Sequence, residues 1–384
     1  MKSRYLTGRY APLYTSLAVT LLSLALSSNA FGQQQRPDDT EYAKYFSVRS
    51  ELLSEHWDRD VYVEAGVTLP LDYDPSEKLP ICINVHGFGG SYRSPWRSGQ
   101  RLTENIRDND YPRMIYVFPM GQFEYGHHEF ADSEFNGPWG EAFVTEFIPA
   151  LEEHFGAWGA PEGRLLCGHS SGGWSSLWLQ VTYPDFFGGT WSTAPDPVDF
   201  RDYTGINIYE WDNAYTDPDG EIIYLMRRNG EWTTSYKDFT QGEFSRREYG
   251  GQIASFDAVF SPVGPDGKYL PMFDHETGLI DHAVSSAWEK FDISLILRRN
   301  WETLGPKLAG KLRVYCGLWD TFRLDGAVVL LKEELEKLGS DAEIVLVERR
   351  DHGSLTRPHE LWPDGLYPMI HKEMLAKFRA STGR

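Results

Sequence analysis

The sequence predicts an α/β protein with a mostly parallel central sheet flanked by helices, and three observations lead to this prediction. Short apolar runs typical of strands alternate with longer stretches of helical periodicity. Those runs are apolar at successive positions, as in a parallel sheet that helices cover on both faces. The chain has 384 residues, 41% of them hydrophobic and 24% charged, which suits one large globular domain with insertions or two ordinary domains.

The first 30 residues predict a secretory signal peptide that is removed from the mature protein. They contain three basic residues, a run of about ten apolar residues at 17–26 and a small-residue cleavage site at 28–30. The apolar run is too short to span a bilayer. We therefore expect an exported protein, secreted or periplasmic, in which residues 31–384 form a single domain.

The elements of that domain follow in order along the chain. An amphipathic stretch at residues 40–56 precedes a first strand at 61–63. Further strand candidates lie at 81–85, 114–118, 164–167, 188–192, 312–316 and 343–347, and helices are predicted at 142–155, 171–181 and 326–338.

Residues 196–305 interrupt this alternation, just before the strand predicted at 312–316. A plain crossover needs far fewer residues. A hairpin is expected at 222–235 around the turn Asn229-Gly230, followed by a helix at 283–301. The insertion is either a cap over a site or a peripheral decoration.

The net charge of the chain bears on which classes of partner it can bind. The chain has 37 Lys and Arg against 56 Asp and Glu, a formal net charge of −19, which repels phosphate backbones and anionic lipid. We expect neither nucleic acid nor a membrane as a partner.

The three cysteines, Cys82, Cys167 and Cys316, each lie in an apolar run typical of a buried strand. We expect buried free thiols, with one disulfide between neighbouring strands as the alternative. No Cys or His is at metal-ligand spacing from them in the sequence, so no metal site is expected. The pair His127-His128 is expected in a surface loop.

The sharpest motif is the segment at 164–174, where an apolar strand leads through Gly168-His169-Ser170-Ser171-Gly172 into a helix. G-x-S-x-G between a strand and a helix is a nucleophile elbow, in which a tight turn exposes the serine at the end of a sheet. Ser170 is therefore the candidate nucleophile; the alternative is a glycine-rich turn without chemistry.

A serine nucleophile needs a base, which follows it in the chain in this architecture. His352 fits, because it comes after the last predicted strand in a short polar turn. His359 and His371 are the competing histidines.

The acid that orients the base is expected at the end of the preceding strand, where Asp320 lies. Asp325 is expected to cap the following helix instead. Asp196, just past the strand predicted at 188–192, is the outside candidate.

An oxyanion hole needs two backbone donors. The strand at 81–85 ends in His86-Gly87-Phe88-Gly89-Gly90, which is similar to the HGGG type of oxyanion loop. We expect the amides of Phe88 and Ser171 to form the hole, with Gly89 as the substitute for Phe88; the alternative is a flexible turn. His86 itself is expected to be structural.

These motifs, with Gly317–Gly326 and Asp351-His352, make the chain resemble the α/β-hydrolase esterase family of esterase D, feruloyl esterases and enterochelin esterases. The resemblance spans most of residues 60–380 and implies an α/β-hydrolase fold. It also implies a serine carboxylic-ester hydrolase that works through an acyl-enzyme, without metal or organic cofactor. A small-molecule or polysaccharide ester is the implied substrate, including acyl or feruloyl esters of carbohydrates, and Trp139, Trp174 and Trp319 are expected to line the pocket.

Two other classes of function remain open. An acyltransferase or a serine peptidase would keep the same three residues on the same fold. A binding protein with an inert triad is the second, and it would be favoured if one of the three side chains were out of place.

Overall fold

The central feature of the computed structural model is an eight-stranded sheet with helices packed against it. The structure describes residues 36–108, 111–247 and 249–384. The signal peptide predicted at 1–30 lies outside the described residues. Residues 37–384 form one compact unit.

The first part of the described chain contains most of the short elements. Its strands are β1 (Lys44–Ser50), β2 (Val61–Thr68), β3 (Ile81–Val85), β4 (Ile115–Pro119), and the two-residue strands β5 (Gln122–Phe123), β6 (Gly126–His127), β7 (Asp132–Ser133) and β8 (Gly137–Pro138). Its helices are α1 (Glu51–Trp57), α2 (Ser94–Arg107), α3 (Trp139–Ala142) and α4 (Ile148–Phe155), the last two joined by a π-helical turn at Phe143–Phe147.

The second part contains the longer helices. Its strands are β9 (Arg164–His169), β10 (Gly189–Thr193), β11 (Tyr224–Arg228), β12 (Glu231–Ser235), β13 (Leu312–Gly317) and β14 (Glu343–Val347). Its helices are α5 (Ser171–Thr182), α6 (Tyr236–Arg246), α7 (Gly251–Phe260), α8 (His282–Ala287), α9 (Ile293–Leu308), α10 (Leu324–Lys337) and α11 (Leu366–Thr382).

The strand order in the sheet is β1-β2-β4-β3-β9-β10-β13-β14. The six strands from β4 to β14 are parallel, while β1 and β2 are antiparallel to their neighbours. Alternate residues of β3 face opposite cores: Ile81 and Ile83 belong to one apolar cluster and Cys82 to the other. The predicted fold class is confirmed, and every strand predicted between 81 and 347 is present within a few residues.

The insertion contributes to the same apolar cluster as one face of the sheet. Its large buried side chains, among them Tyr203, Phe260 and Trp288, join a cluster that includes Trp174 of α5 and Trp191 of β10. A segment that shares a core with the sheet is held in place by the same burial that stabilises the sheet.

Two helical predictions need correction. The helix expected at 283–301 is broken at Asp292, whose side chain caps a new helix that extends to Leu308. Asp325 does not cap α10, because the residue at the N-cap is Arg323 in a left-handed conformation. Among the described helices, none combines the length and apolar character needed to cross a bilayer.

Candidate active site

Ser170 lies in a sharp turn between β9 and α5, with φ of 61° and ψ of −126°. Non-glycine residues rarely take positive φ, and such strain is concentrated at functional sites. The two flanking glycines make the turn possible: a Cβ at Gly168 would lie 2.1 Å from the Gly172 carbonyl, and one at Gly172 would lie 2.0 Å from the Val85 carbonyl. The backbone is packed so closely here that only glycine fits at these two positions.

His352 and Asp320 lie in loops that follow neighbouring parallel strands, β14 and β13. Parallel neighbours end at the same edge of the sheet, so the two loops meet there. His352 Nδ1 donates to Asp320 Oδ2 at 2.7 Å. Asp320 is fully buried, and its Oδ1 accepts the Phe322 amide at 2.9 Å. The carboxylate therefore holds the imidazole in the tautomer that leaves Nε2 free to accept a proton.

The pKa of His352 is raised above its ordinary value by its charged surroundings. Burial disfavours the imidazolium, but the charge and hydrogen bond of Asp320 outweigh it, with additional contributions from Asp196 and Asp351. The group is therefore a stronger base than a free histidine.

The imidazole of His352 lies beside the elbow. Its ring centroid is 4.4 Å from that of His169, the residue before Ser170, and 5.0 Å from that of Phe322. In the described part of the chain no hydrogen bond joins Ser170 to His352; Ser170 Oγ donates instead to Asp196 Oδ1 at 3.4 Å. Hydrogen bonds between a catalytic serine and its base are often long in the absence of substrate and shorten when substrate binds.

The two predicted oxyanion donors flank the same serine. Gly87 lies against the elbow, since a Cβ there would be 3.1 Å from Ser170 Cβ and 3.8 Å from Ser170 Oγ, and Phe88 follows it directly. Ser171 is the first residue of α5, so its amide has no acceptor within the helix. Both backbone segments therefore border Ser170.

Asp196 contacts the serines, whereas Nδ1 of His352 bonds to Asp320. Besides Ser170, Asp196 accepts from Ser171 Oγ at 2.5 Å and from Gln252 Nε2 at 3.3 Å. Burial, followed by the nearby charge of Glu129, raises its pKa to about 7. Asp196 was predicted only as an alternative acid, and its contact with the candidate nucleophile was not predicted.

Glu129 is a second buried carboxyl close to the elbow, and sequence reasoning missed it. Its Oε2 accepts from Ser175 Oγ at 2.9 Å, and its Oε1 lies 3.2 Å from His127 Nδ1. That nitrogen already accepts the Glu129 amide with its single lone pair, so Oε1 has no hydrogen-bond partner among the described residues. Burial raises the pKa of Glu129 well above its ordinary value.

The prediction that His127 and His128 lie in a surface loop was wrong, because both are fully buried. Both ring nitrogens of each have backbone partners, such as the His86 carbonyl at 3.0 Å from His127 Nε2. Satisfied polar groups tolerate burial, and burial lowers the pKa of His127 to about 4. The ring of His127 connects β6 to the oxyanion loop through the His86 carbonyl, and the ring of His128 bonds to the Met120 carbonyl.

The prediction that three tryptophans line the pocket was also wrong. Trp139 is buried and stacks on the His128 ring, with centroids 3.8 Å apart, and Trp174 is buried and stacks on Trp178. Trp319 packs over Gly230 of the hairpin.

The pocket beside the serine is formed almost entirely by the insertion. It has a volume of about 20 Å³, room for one small group. Asp196, which contacts Ser170, and Phe322, which contacts His352, place it next to the reacting groups. The remaining lining residues are Pro197, Tyr203, Thr204, Leu225, Tyr236, Phe239, Gln252, Ile253, Phe256 and Leu324.

The three cysteines are free and buried, as expected for core thiols. Cys82 and Cys167 Sγ are 4.0 Å apart, and His371 Nε2 is 4.0 Å from Cys167 Sγ. These three side chains form a group with metal-ligand spacing, contrary to the sequence expectation. No spacing motif in the sequence indicates this group, because Cys82 and Cys167 lie 85 residues apart and Cys167 and His371 lie 204 residues apart.

Comparison with known proteins bears on this geometry. Residues 54–201 match a family model described as "Putative esterase", and this segment contains the oxyanion loop and the elbow. A solved structure described as a ferulic acid esterase shares the fold, with a TM-score of 0.53 and 14% identity over 88% of this chain and 98% of that one. The chain therefore shares the fold of that esterase, and its residues 54–201 are similar to the "Putative esterase" family.

Two more solved structures are similar at a lower level. An S-formylglutathione hydrolase from Agrobacterium tumefaciens has 16% identity and a TM-score of 0.49, covering 90% of this chain and 97% of that one. The fluorophosphonate-binding serine hydrolase F of Staphylococcus aureus has 13% identity and a TM-score of 0.49, covering 87% and 98%. No curated protein sequence matches the chain. The segment that the family model matches ends before the loops that contain Asp320 and His352.

Proposed function

We propose that this protein is an esterase that hydrolyses carboxylic esters through a Ser170-His352-Asp320 triad and an acyl-enzyme. The observation on which the proposal rests is the 2.7 Å hydrogen bond from His352 Nδ1 to Asp320 Oδ2, made beside a serine in a strained elbow. Residues that the chain separates by 150 positions and more meet at one edge of the sheet, in the chain order that this architecture uses. A binding protein with an inert triad has no need for this arrangement.

The reaction begins when His352 Nε2 takes the proton of Ser170 Oγ and the oxygen attacks the ester carbonyl. The resulting oxyanion accepts hydrogen bonds from the Phe88 and Ser171 amides. His352 then gives its proton to the leaving alcohol, and Asp320 stabilises the imidazolium in between. Water, activated by the same His352, attacks the acyl-enzyme and releases the acid and Ser170.

Ser170 must turn from Asp196 to His352 before it reacts. Its single proton serves one acceptor at a time, and in the substrate-free state that acceptor is Asp196 Oδ1. The contact is 3.4 Å long, close to the limit of a hydrogen bond, so little is lost when the hydroxyl turns away.

The pocket favours a short acyl group over an aromatic one. A volume of about 20 Å³ accepts a group such as the methyl of an acetyl ester, whereas a feruloyl ring is many times larger. We therefore propose short acyl esters, and among them esters of carbohydrates, as the substrates. Residues 31–384 would act as one domain, with 196–305 as its cap, and the predicted signal peptide would direct it to the periplasm or the medium.

Acyl transfer and peptide hydrolysis are the alternatives on the same triad. A transferase needs the acyl-enzyme to be protected from water, and a peptidase needs to release an amine in place of an alcohol. Substrates decide between them.

The test is a panel of p-nitrophenyl esters of increasing acyl length, acetylated and feruloylated sugars, and peptide amides, measured with the mature protein and with Ser170→Ala. We expect acetyl esters to be the best substrates and the substitution to lower kcat by about 10⁴ to 10⁶. Activity that survives Ser170→Ala would contradict the mechanism. A preference for feruloyl esters would contradict the assignment of the pocket.

A further inference from the structure

The hairpin β11–β12 of the insertion is fastened to the loop that contains Asp320. Arg227 makes three contacts there: its backbone amide donates to the Thr321 carbonyl at 2.9 Å, its Nε to the Asp320 carbonyl at 2.8 Å, and its Nη2 to Asp325 Oδ1 at 2.5 Å. The side chains of Arg227 and Asp325 are only 12% and 18% exposed. Charge-assisted contacts that are shielded from water are stronger than surface pairs.

A second arginine completes the attachment from the other side. Arg323, which follows Asp320 in the loop, donates from Nη1 to the Tyr224 carbonyl of β11 at 3.0 Å. The guanidinium groups of Arg227 and Arg323 both lie over the ring of Trp232 in β12, at 5.3 and 4.9 Å from its centroid. The arginine of the strand and the arginine of the loop thus pack on the same aromatic ring, and each donates a hydrogen bond to a backbone carbonyl of the other segment.

The contact at the Asp320 carbonyl bears directly on the base. A bond to this oxygen fixes the orientation of the peptide that follows Asp320, while the bond from the Phe322 amide fixes Oδ1 of the same residue. Both bonds restrain the residue whose Oδ2 accepts from His352 Nδ1. A displacement of about 1 Å in such a constellation costs about 10²-fold in rate.

We propose that Arg227 is a positioning residue, by which the insertion holds Asp320 in the geometry that orients His352. The proposal rests on the proposed roles of Asp320 and His352. The insertion then has a second role besides forming the pocket. The hairpin lies outside the segment that the family model matches, which ends at residue 201. Removing Arg227 loosens the carboxylate without removing it.

The pH dependence of activity reports this positioning. The charged or titratable groups that face His352 are Asp320, Asp196, Asp351 and the ring of His169, and only Asp320 is bonded to Arg227. When Asp320 is loosened, the burial of His352 is less well offset and its pKa falls. The acid limb of kcat/KM, which reports the base of the free enzyme, then moves to lower pH.

The experiment measures kcat, KM and the pH profile of p-nitrophenyl acetate hydrolysis for Arg227→Ala, Arg227→Lys and Arg228→Ala. Arg228 is the matched control, an exposed arginine next in the same strand. We expect Arg227→Ala to lower kcat about 10- to 100-fold, with KM within about two-fold and the acid limb at lower pH. Arg228→Ala should match the parent enzyme.

Arg227→Lys keeps the proposal testable if the alanine variant does not fold. Its single ammonium preserves a charge opposite Asp325 but cannot serve both that carboxylate and the Asp320 carbonyl as a planar guanidinium does. We expect the parent melting temperature to be largely restored while the acid limb stays displaced.

An acid limb at the parent position in both Arg227 variants, with kcat unchanged, would overturn the proposal. Ser170→Ala, run beside them, separates this result from a failure of the proposed function. If that variant is inactive while Arg227→Ala is fully active, the triad stands and the positioning role falls. If Ser170→Ala is active, the proposed function itself is wrong.

Discussion

Around Ser170 the backbone is fixed by near neighbours in the sheet, whereas the loop of Asp320 is fixed by a residue 93 positions away in the insertion. At the elbow, Gly168 and Gly172 pack on backbone atoms with no room for a side chain. At the acid loop, Arg227 of the hairpin donates to the Asp320 carbonyl, and Arg323 of the loop donates to the Tyr224 carbonyl of the hairpin. A motif in the sequence specifies the first region, and only the fold specifies the second.

This difference has a consequence for how the site tolerates change. The elbow depends on the absence of side chains, so nearly any substitution of its glycines is expected to disturb folding. The acid loop depends on a few directed hydrogen bonds, so substitutions there are expected to alter catalysis more than folding. The following predictions test that contrast.

The largest expected effect comes from Asp320→Asn. The amide is nearly isosteric but presents the wrong partner to His352 Nδ1 in one of its orientations, and it has no charge to stabilise the imidazolium. We expect kcat to fall by about 10³ to 10⁴ and the acid limb of kcat/KM to move to lower pH, because the main group that raises the pKa of His352 is lost. Steady-state kinetics between pH 5 and 9 would measure both; an unshifted limb would mean that Asp320 does not govern His352.

Gly172→Ala tests the elbow as a packing problem. The added Cβ would lie 2.0 Å from the Val85 carbonyl, so either β3, which ends at Val85, or α5 must move. We expect the free energy of unfolding to fall by about 1–3 kcal/mol or more. Gly353→Ala is the control, because a Cβ there meets nothing within 4 Å and the residue follows His352 directly. Equal denaturation midpoints for the two variants would contradict the packing argument.

Asp196→Asn tests the buried carboxyl beneath the nucleophile through stability. The pKa of Asp196 is raised to about 7 in the folded protein, above its value near 3.9 in an unfolded chain. Below pH 4 both states hold the proton. As the pH rises toward 7 the unfolded state loses it first, so the free energy of unfolding of the parent protein falls through this range and is lowest above pH 7.

Asparagine does not titrate, so the variant escapes this loss. We expect the free energy of unfolding of the variant, taken relative to that of the parent, to be about 1–3 kcal/mol higher at pH 8 than at pH 5. Each pKa unit corresponds to about 1.4 kcal/mol. Chemical denaturation at the two pH values measures the difference. The same stability difference at both would show that Asp196 does not titrate between them.

The smallest expected effect comes from the pocket. Phe239, a partly buried side chain of the pocket wall that contacts Phe322, can be shortened without touching Ser170, His352 or Asp320. Phe239→Ala should raise the ratio of butyrate to acetate hydrolysis by about 10-fold, the effect of one or two methylenes in an apolar pocket. An unchanged ratio on p-nitrophenyl esters would move the acyl group to another part of the site.

The sequence predicted those parts of the molecule that local patterns encode. The parallel strands appear as short apolar runs, and the elbow appears as a motif between one such run and a helix. His352 and Asp320 were predicted as base and acid because each follows a predicted strand, and the structure joins the two side chains by a hydrogen bond.

Interactions between distant residues left no such pattern. The buried roles of His127 and Glu129 depend on partners such as His86 and Ser175, and polar residues in a glycine-flanked segment resemble an ordinary surface loop. Trp139 and Trp174 lie next to motifs in the chain but pack into cores, since neighbours in sequence do not share a direction. The prediction of one continuous helix at 283–301 was wrong because Asp292, which caps a second helix, was treated as an interior residue.

The measurement that tests the central claim most directly is covalent labelling with a fluorophosphonate, followed by intact-mass analysis and peptide mapping. A serine made nucleophilic by His352 should give one adduct per chain, on Ser170. His352→Gln should slow the labelling by several orders of magnitude, while Arg228→Ala should label at the parent rate. A label on another residue, or an equal rate in His352→Gln, would contradict the account.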